Sequence, residues 1–147
     1  MISKSNINLP LAILTSTNKS DDLIQTFCES KGIKFFRGDL NNVASRFIYA
    51  GELFNEDKFI RLCGDSPLID PEIINHAIKI SKEYPQFDLV TNIQKRTFPK
   101  GQSVEIVKTE SLKRLIKKGL TAEEQEHVTL GFYNRKDQYK IINFESK

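Results

Sequence analysis

The chain has 147 residues, 39% of them hydrophobic and 10% aromatic, which is enough for one domain over residues 1–147 and too much for a disordered chain. Its 22 basic and 19 acidic side chains leave a formal net charge of +3, which excludes the strong basic excess of a nucleic-acid protein and leaves small charged ligands open. Cys28, Cys63, His76 and His127 are too few and too scattered for a Cys/His zinc site, and free cysteines fit a reducing cytoplasm. The apolar run near the N-terminus is too short to span a membrane and lacks a signal-peptide cleavage pattern, so a cytoplasmic protein is expected.

Residues Leu11 to Leu14 read as a short buried strand, followed by a polar turn from Thr15 to Lys19. In "SDDLIQTFCESKG", Ser20 is a plausible N-cap, Asp21 and Asp22 suit the positive first turn, and Gly32 closes the helix. Leu23, Ile24, Phe27 and Cys28 fall on one face of it. "IKFF" is a second strand, and Val43, Ala44, Phe47, Ile48 and Phe54 recur at helical spacing after it. "KFIRLCG" is a third strand. Asp70 followed by Pro71 is a strong helix start, because aspartate caps free amides while proline in the first turn loses no hydrogen bond; Ile73, Ile74, Ala77 and Ile78 form the buried face. "FDLVTNI" is a fourth strand, "RTFPKGQ" a loop and "SVEIV" a fifth strand; helical segments near 110–119 and 122–133 precede a last strand, "YKIINF". This alternation predicts a layered α/β fold with a mainly parallel sheet.

In open α/β sheets, ligands bind where strands end and helices begin. Asp65 lies at such an end, in "RLCGDSPLID": Gly64 permits close approach, the Asp65 carboxylate is a hard oxygen donor suited to Mg²⁺, and Pro67 stiffens the loop. The plain alternative is a turn in which Asp65 bonds neighbouring backbone. Arg37 with Gly38, and Arg46 in the next helix, are either anion contacts or surface charges. In "EEQEHVT", Glu126 stands beside His127, which reads either as an acid-oriented base or as an exposed acidic helix. Lys113, Arg114, Lys117 and Lys118 lie opposite Leu112, Leu115 and Ile116, the ordinary division into solvated and buried faces, and His76 reads as structural.

Taken in order, "LTSTNKSDD", "FFRGDLNNVASRF", "IRLCGDSPLIDPEII", "TFPKGQSVEIV" and "EEQEHVT" resemble the cytidylyltransferase family of the spore-coat polysaccharide type, relatives of the enzymes that make CMP-activated acidic sugars. The resemblance runs from about Leu11 to Phe144. It implies a three-layer, Rossmann-like nucleotidyltransferase fold and a reaction in which a sugar oxygen attacks the α-phosphate of CTP and releases pyrophosphate. On that pattern Asp65 is the catalytic aspartate and Mg²⁺ ligand, with Gly64 and Ser66 shaping its loop. Thr15, Ser16, Thr17 and Arg46 match nucleotide-side segments, and Gly101, Glu105, Glu126 and His127 match segments on the sugar side. A homodimer is a further expectation from the family.

The family also has an opening strand with a phosphate-holding loop of the type Arg-Met-x-Ser-x-Arg-Leu-Pro-x-Lys, and a later acidic segment; neither has a match in this sequence. The expected fold is therefore one that lacks its first strand, the strand that lies inside the family's sheet. Three outcomes are distinguished: neighbouring strands close the gap, a second chain fills it, or the reading frame is incomplete, which is the preferred reading. The alternative function is a noncatalytic remnant or sugar-binding subunit. A glycosyltransferase fits less well, since no Asp-x-Asp occurs.

Overall fold

A computed structural model describes residue 7 and residues 9–146, so the leader reading of residues 1–6 lies outside the described residues. Six strands, β1 (Ala12–Ser16), β2 (Lys34–Gly38), β3 (Lys58–Arg61), β4 (Leu89–Thr91), β5 (Glu105–Lys108) and β6 (Ile141–Asn143), are connected through six helices. The helices are α1 (Asp22–Lys31), α2 (Val43–Phe54), α3 (Pro71–Glu83), α4 (Thr109–Lys117), α5 (Ala122–Glu126) and α6 (Leu130–Asn134). Among the described residues no helix is long and apolar enough to cross a membrane.

The strands form two sheets. One pairs β1 with β2 in parallel, and the other has the order β3-β5-β4-β6. In the second, β4 and β6 are parallel while β5 runs antiparallel to both neighbours, so β3, β4 and β6 share one direction and β5 alone is reversed. Among the described residues β1 pairs only with β2 and β3 only with β5, so the strands next to the expected gap do not pair with each other across it.

Period-two alternation then distributes the core between two faces of the four-stranded sheet. Val90 and Ile106 point toward α3 and join Ile74, Ala77 and Ile80 in one buried cluster. Leu89 and Val107 point the other way, joining Ala44 of α2, Leu112 and Leu115 of α4 and Phe132 of α6. This is the three-layer arrangement that the resemblance implies. The Asp70 cap forms as expected, its Oδ1 accepting from Glu72 N at 2.9 Å, with Pro71 in the first turn.

Several local expectations need correction. The first strand runs on to Ser16, which takes Thr15 and Ser16 out of the turn, because both stay in register with Arg37 and Gly38. Ser20 does not cap α1; a short 3-10 turn over Lys19–Asp21 precedes the helix. Of the apolar face on α1 only Cys28 is buried, since among the described residues no layer packs over Leu23, Ile24 and Phe27. The segment 122–133 is not one helix but two, broken between Glu126 and Leu130.

Candidate functional site

The carboxyl ends of β3 and β4 and the amino end of the reversed β5 meet at one rim of the four-stranded sheet. Register places Arg61 directly opposite Glu105, and Arg61 Nη1 donates to Glu105 Oε2 at 2.7 Å. Glu105 is 1% exposed, and its second oxygen accepts from Tyr133 Oη at 2.6 Å; Tyr133 in turn takes the Thr91 hydroxyl at 2.8 Å. Burial, with the Glu105 charge beside it, pushes the Tyr133 phenol well above its ordinary range, so it stays a donor. Burial would pull Arg61 down, but the Glu105 carboxylate outweighs it and raises the guanidinium instead. A buried carboxylate is tolerated here because an arginine and a tyrosine satisfy it together.

Two loops close over this network. Gln102 Oε1 accepts from Asp70 N at 2.8 Å and its Nε2 donates to Leu68 O at 2.9 Å, stitching loop 92–104 to the loop after β3. Buried Asn92 braces the first of these, donating to Gln102 O at 2.7 Å and accepting from Val104 N at 2.9 Å. Gly101, at φ 84°, supplies the left-handed turn that aims Gln102.

Asp65 projects from the stitched loop into solvent. Among the described residues its carboxylate accepts one weak hydrogen bond, from Ser66 Oγ at 3.4 Å, and no backbone amide. The local turn is made instead by Ser66 N donating to Cys63 O at 3.1 Å, so the turn does not consume the Asp65 oxygens. A Cβ on Gly64 would meet open space, consistent with an accessible approach beside Asp65. Among the described residues no group of three acidic, histidine or cysteine side chains stands together as a metal cage. A single free carboxylate is nonetheless compatible with Mg²⁺, which commonly takes one or two carboxylates and completes its shell with water and substrate phosphates.

A second cluster occupies the carboxyl ends of β1 and β2. Asp21 Oδ2 accepts from Thr15 Oγ1 at 2.6 Å, Ser16 N at 2.8 Å and Ser16 Oγ at 2.6 Å. These donors, the Ser16 hydroxyl first and Thr15 next, hold the Asp21 carboxyl far below its usual range. Thr17 continues the ladder through its N–H to Gly38 O at 3.0 Å. Arg37 is a structural clamp: it reaches Ser16 O, Asn18 O, Gln25 and Asp22, each within 2.7–2.8 Å.

Arg46 behaves differently. It is 9% exposed as a residue, its Nη2 makes one long bond to Leu40 O at 3.3 Å, and among the described residues its buried Nε has no partner. Among the described residues no carboxylate lies within ion-pair distance of it. Burial lowers its affinity for the proton, while Asp21 and Asp39 at longer range oppose that effect. Gly38 makes room for this packing, since a Cβ there would lie 2.8 Å from Arg46 Cγ.

The expected pair of Glu126 and His127 is exposed, and among the described residues no hydrogen bond or ion pair joins either side chain to Gly101 or Glu105. The acid that does structural work in that segment is Glu124, which sequence reasoning missed. It completes a capping box with Thr121 and pairs with Arg135 at 2.6 Å, and that pairing holds its carboxyl down to about 2. The pattern Thr-x-x-Glu from Thr121 to Glu124 was the available signal. Arg61, Tyr133 and Gln102 were also missed; only Arg61, at a strand end, carried a positional hint.

The model of the family described as Cytidylyltransferase matches residues 4–146. The spore coat polysaccharide biosynthesis protein SpsF of Bacillus subtilis is 32% identical over 137 residues, a stretch that covers 92% of this chain and 55% of that protein. An uncharacterized protein of Methanocaldococcus jannaschii is 27% identical, with 92% and 54% covered. Among solved structures, a cytidylyltransferase from Leptospira borgpetersenii superimposes with a TM-score of 0.87 at 26% identity, covering 92% of this chain and 58% of its own. A CMP:2-keto-3-deoxy-manno-octonic acid synthetase complexed with CTP gives a TM-score of 0.66 at 14% identity, a likeness of fold alone, with 94% and 72% covered. The chain thus spans about half the length of the curated relatives it matches.

Proposed function

The chain belongs to the cytidylyltransferase family, and on that premise we propose that it serves the transfer of CMP from CTP to a sugar in polysaccharide or glycan biosynthesis. In that reaction a sugar oxygen forms a bond to the α-phosphorus of CTP, the bond to the bridging oxygen breaks, and pyrophosphate leaves. The observation that carries the reading is Arg46: a side chain nine-tenths buried as a residue near the carboxyl ends of β1 and β2, whose buried Nε has no hydrogen-bond partner and which has no carboxylate within ion-pair distance among the described residues. Such a group is costly unless an anion completes it. A nucleotide phosphate supplies that anion, and the planar guanidinium suits phosphate oxygens.

Asp65 is the proposed ligand for Mg²⁺, whose chemistry when bound is to neutralise phosphate charge. Thr15, Ser16 and Thr17 act indirectly, by holding Asp21 and the end of β1 in place beside Arg46. Glu105 sits on the rim intended for the sugar, where with Tyr133 it fixes the Arg61 guanidinium for a substrate hydroxyl or carboxylate. Gly101 shapes the covering loop, and Glu126 and His127 are left as exposed contacts for the sugar.

Titration calorimetry with CTP and Mg²⁺ tests the assignment. Removing charge-assisted bonds in Arg46→Gln is expected to weaken CTP binding roughly tenfold to a hundredfold, and Asp65→Asn to remove the Mg²⁺ dependence. Binding of acidic sugars with no CTP binding in the unaltered chain would reject the nucleotide assignment and favour a sugar-binding module.

A further inference from the structure

The loop that carries Asp65 is fixed at both ends. It leaves β3 after Arg61, and at its far end Ile69, 4% exposed, packs in the core cluster with Ile74 and Phe87 while Asp70 caps α3. Residues 63–70 bond among themselves and to the first turn of α3. Among the described residues, their only hydrogen bonds to the rest of the chain come from the Gln102 side chain. Its Oε1 accepts from Asp70 N at 2.8 Å and its Nε2 donates to Leu68 O at 2.9 Å, one bond on each side of Ile69. We propose that Gln102 is a positioning residue for Asp65: through these two bonds it fixes the place from which the Asp65 carboxylate meets a metal ion.

The tether has a firm base. Buried Asn92, next to the end of β4, donates to Gln102 O at 2.7 Å. The same loop is fastened on its other side to the end of β6: Lys95 N donates to Asn143 Oδ1 at 3.1 Å, Ser146 N donates to Thr97 Oγ1 at 2.7 Å, and Phe98 packs edge-on to Phe144 at 5.8 Å between ring centroids. Gln102 therefore ties the Asp65 loop to the sheet rather than to a second free loop. A side-chain amide suits the task, because it offers one acceptor and one donor side by side for the Asp70 N–H and the Leu68 carbonyl. Neither packing nor its own contacts replace that hold on the arc before them, since Leu68 is 74% exposed and the Asp65 carboxylate accepts one weak bond.

The fold does not depend on the tether, because the burial of Ile69 and the Asp70 cap already hold the start of α3. What the tether controls is the arc 63–68. A lone carboxylate shares its ion with substrate phosphates, so its place relative to them decides what it contributes, and a displacement of about 1 Å near a reacting centre costs about a hundredfold in rate. Gln102 has this role through Asp65 alone, and it rests on the assignment of Asp65 to Mg²⁺.

The test uses the whole chain and Gln102→Met, which keeps the length of the side chain and removes both bonds. In the variant, amide exchange at Asp70 is expected to speed up at least about tenfold while exchange in β4 and β5 is unchanged, which shows the fold intact. Nuclear magnetic resonance with Mn²⁺ as the probe then follows the metal without nucleotide. In the unaltered chain Mn²⁺ is expected to broaden the amide signals of residues 64–66 and of residues 100–103 together, and Asp65→Asn to abolish both effects. In Gln102→Met the broadening at 64–66 is expected to persist while that at 100–103 weakens, because the ion no longer keeps a fixed place beside the second loop. With CTP and Mg²⁺, calorimetry is expected to show binding about tenfold weaker in Gln102→Met, and no further loss when the same change is made in Asp65→Asn. Unchanged broadening at 100–103 in Gln102→Met would overturn the proposal. An equal loss of CTP affinity in both backgrounds would also overturn it, by making Gln102 part of the fold and nothing more. Broadening at 64–66 that is missing in the unaltered chain, or survives Asp65→Asn, would reject Asp65 as the ligand and the role of Gln102 with it. A chain that binds Mn²⁺ at Asp65 but no CTP would reject the nucleotide assignment alone, with the Mn²⁺ result still deciding the tether.

Discussion

Around the four-stranded sheet, α3 and α4 sink their apolar stripes into closed clusters, and Leu89, Val107 and Phe132 have no exposure at all. Around the two-stranded sheet, α1 has an apolar stripe of similar spacing, yet Leu23 is 80% exposed, Phe27 is 51% exposed and Cys28 alone is buried. The strand-helix units are alike in pattern. What differs is the surface opposite: the larger sheet has helices on both faces, whereas among the described residues β1 and β2 have no third strand beside them. An amphipathic stripe fixes which side of a helix seeks burial, and the neighbours determine whether burial follows. Helix α2 links the regions, packing Phe47 on Phe59 of β3 at 4.9 Å between ring centroids and Tyr49 against Phe36 of β2 at 6.2 Å.

The contrast is most severely tested in the larger region. Glu105→Ala strips Arg61 and Tyr133 of their shared buried partner, and a loss of about 3–5 kcal/mol is expected in urea unfolding. A loss under about 1 kcal/mol would mean that this rim is as loosely held as the smaller sheet. A smaller, pH-resolved effect is expected at Glu124. Its carboxyl lies at about 2 when folded against an ordinary 4.5, so its contribution is fully present above about 4.5 and is lost as pH falls toward about 2. Glu124→Gln should flatten the acid limb of the stability curve over that window, read by circular dichroism. The smallest effect is predicted on α1: Phe27→Ser should change stability by no more than about 0.5 kcal/mol, and a larger loss would show that the stripe is covered in solution.

Much of the fold is legible in the sequence, because strand and helix periodicities report backbone state directly; every strand read from pattern occurs, and Asp70 with Pro71 starts α3 as their chemistry dictates. The break after Glu126 is not legible, since no glycine or proline marks it and Thr129 and Leu130 keep a helical look. Asp65 stands out because it punctuates an apolar run at a strand end. The Arg61–Glu105 pair does not, because it exists only through the antiparallel register of β3 with β5, which depends on strand order. Glu105 also lies in an apolar strand whose pattern favours reading it as solvent-facing, whereas the fold buries it beside an arginine. Arg46 likewise looks like an ordinary helical arginine until Gly38 is seen to leave space against it.

The reversal of β5 has a consequence for how this architecture diversifies. Because β4 and β5 are antiparallel neighbours, loop 92–104 is a hairpin connection that leaves and returns at the same rim. Residues inserted or deleted there lengthen or shorten the wall beside Asp65 without shifting strand register or forcing a crossover helix to move. Within one scaffold, the shape of this rim is thus free to drift by changes in the size of a single loop, while Asn92 and Gln102 keep its two ends anchored.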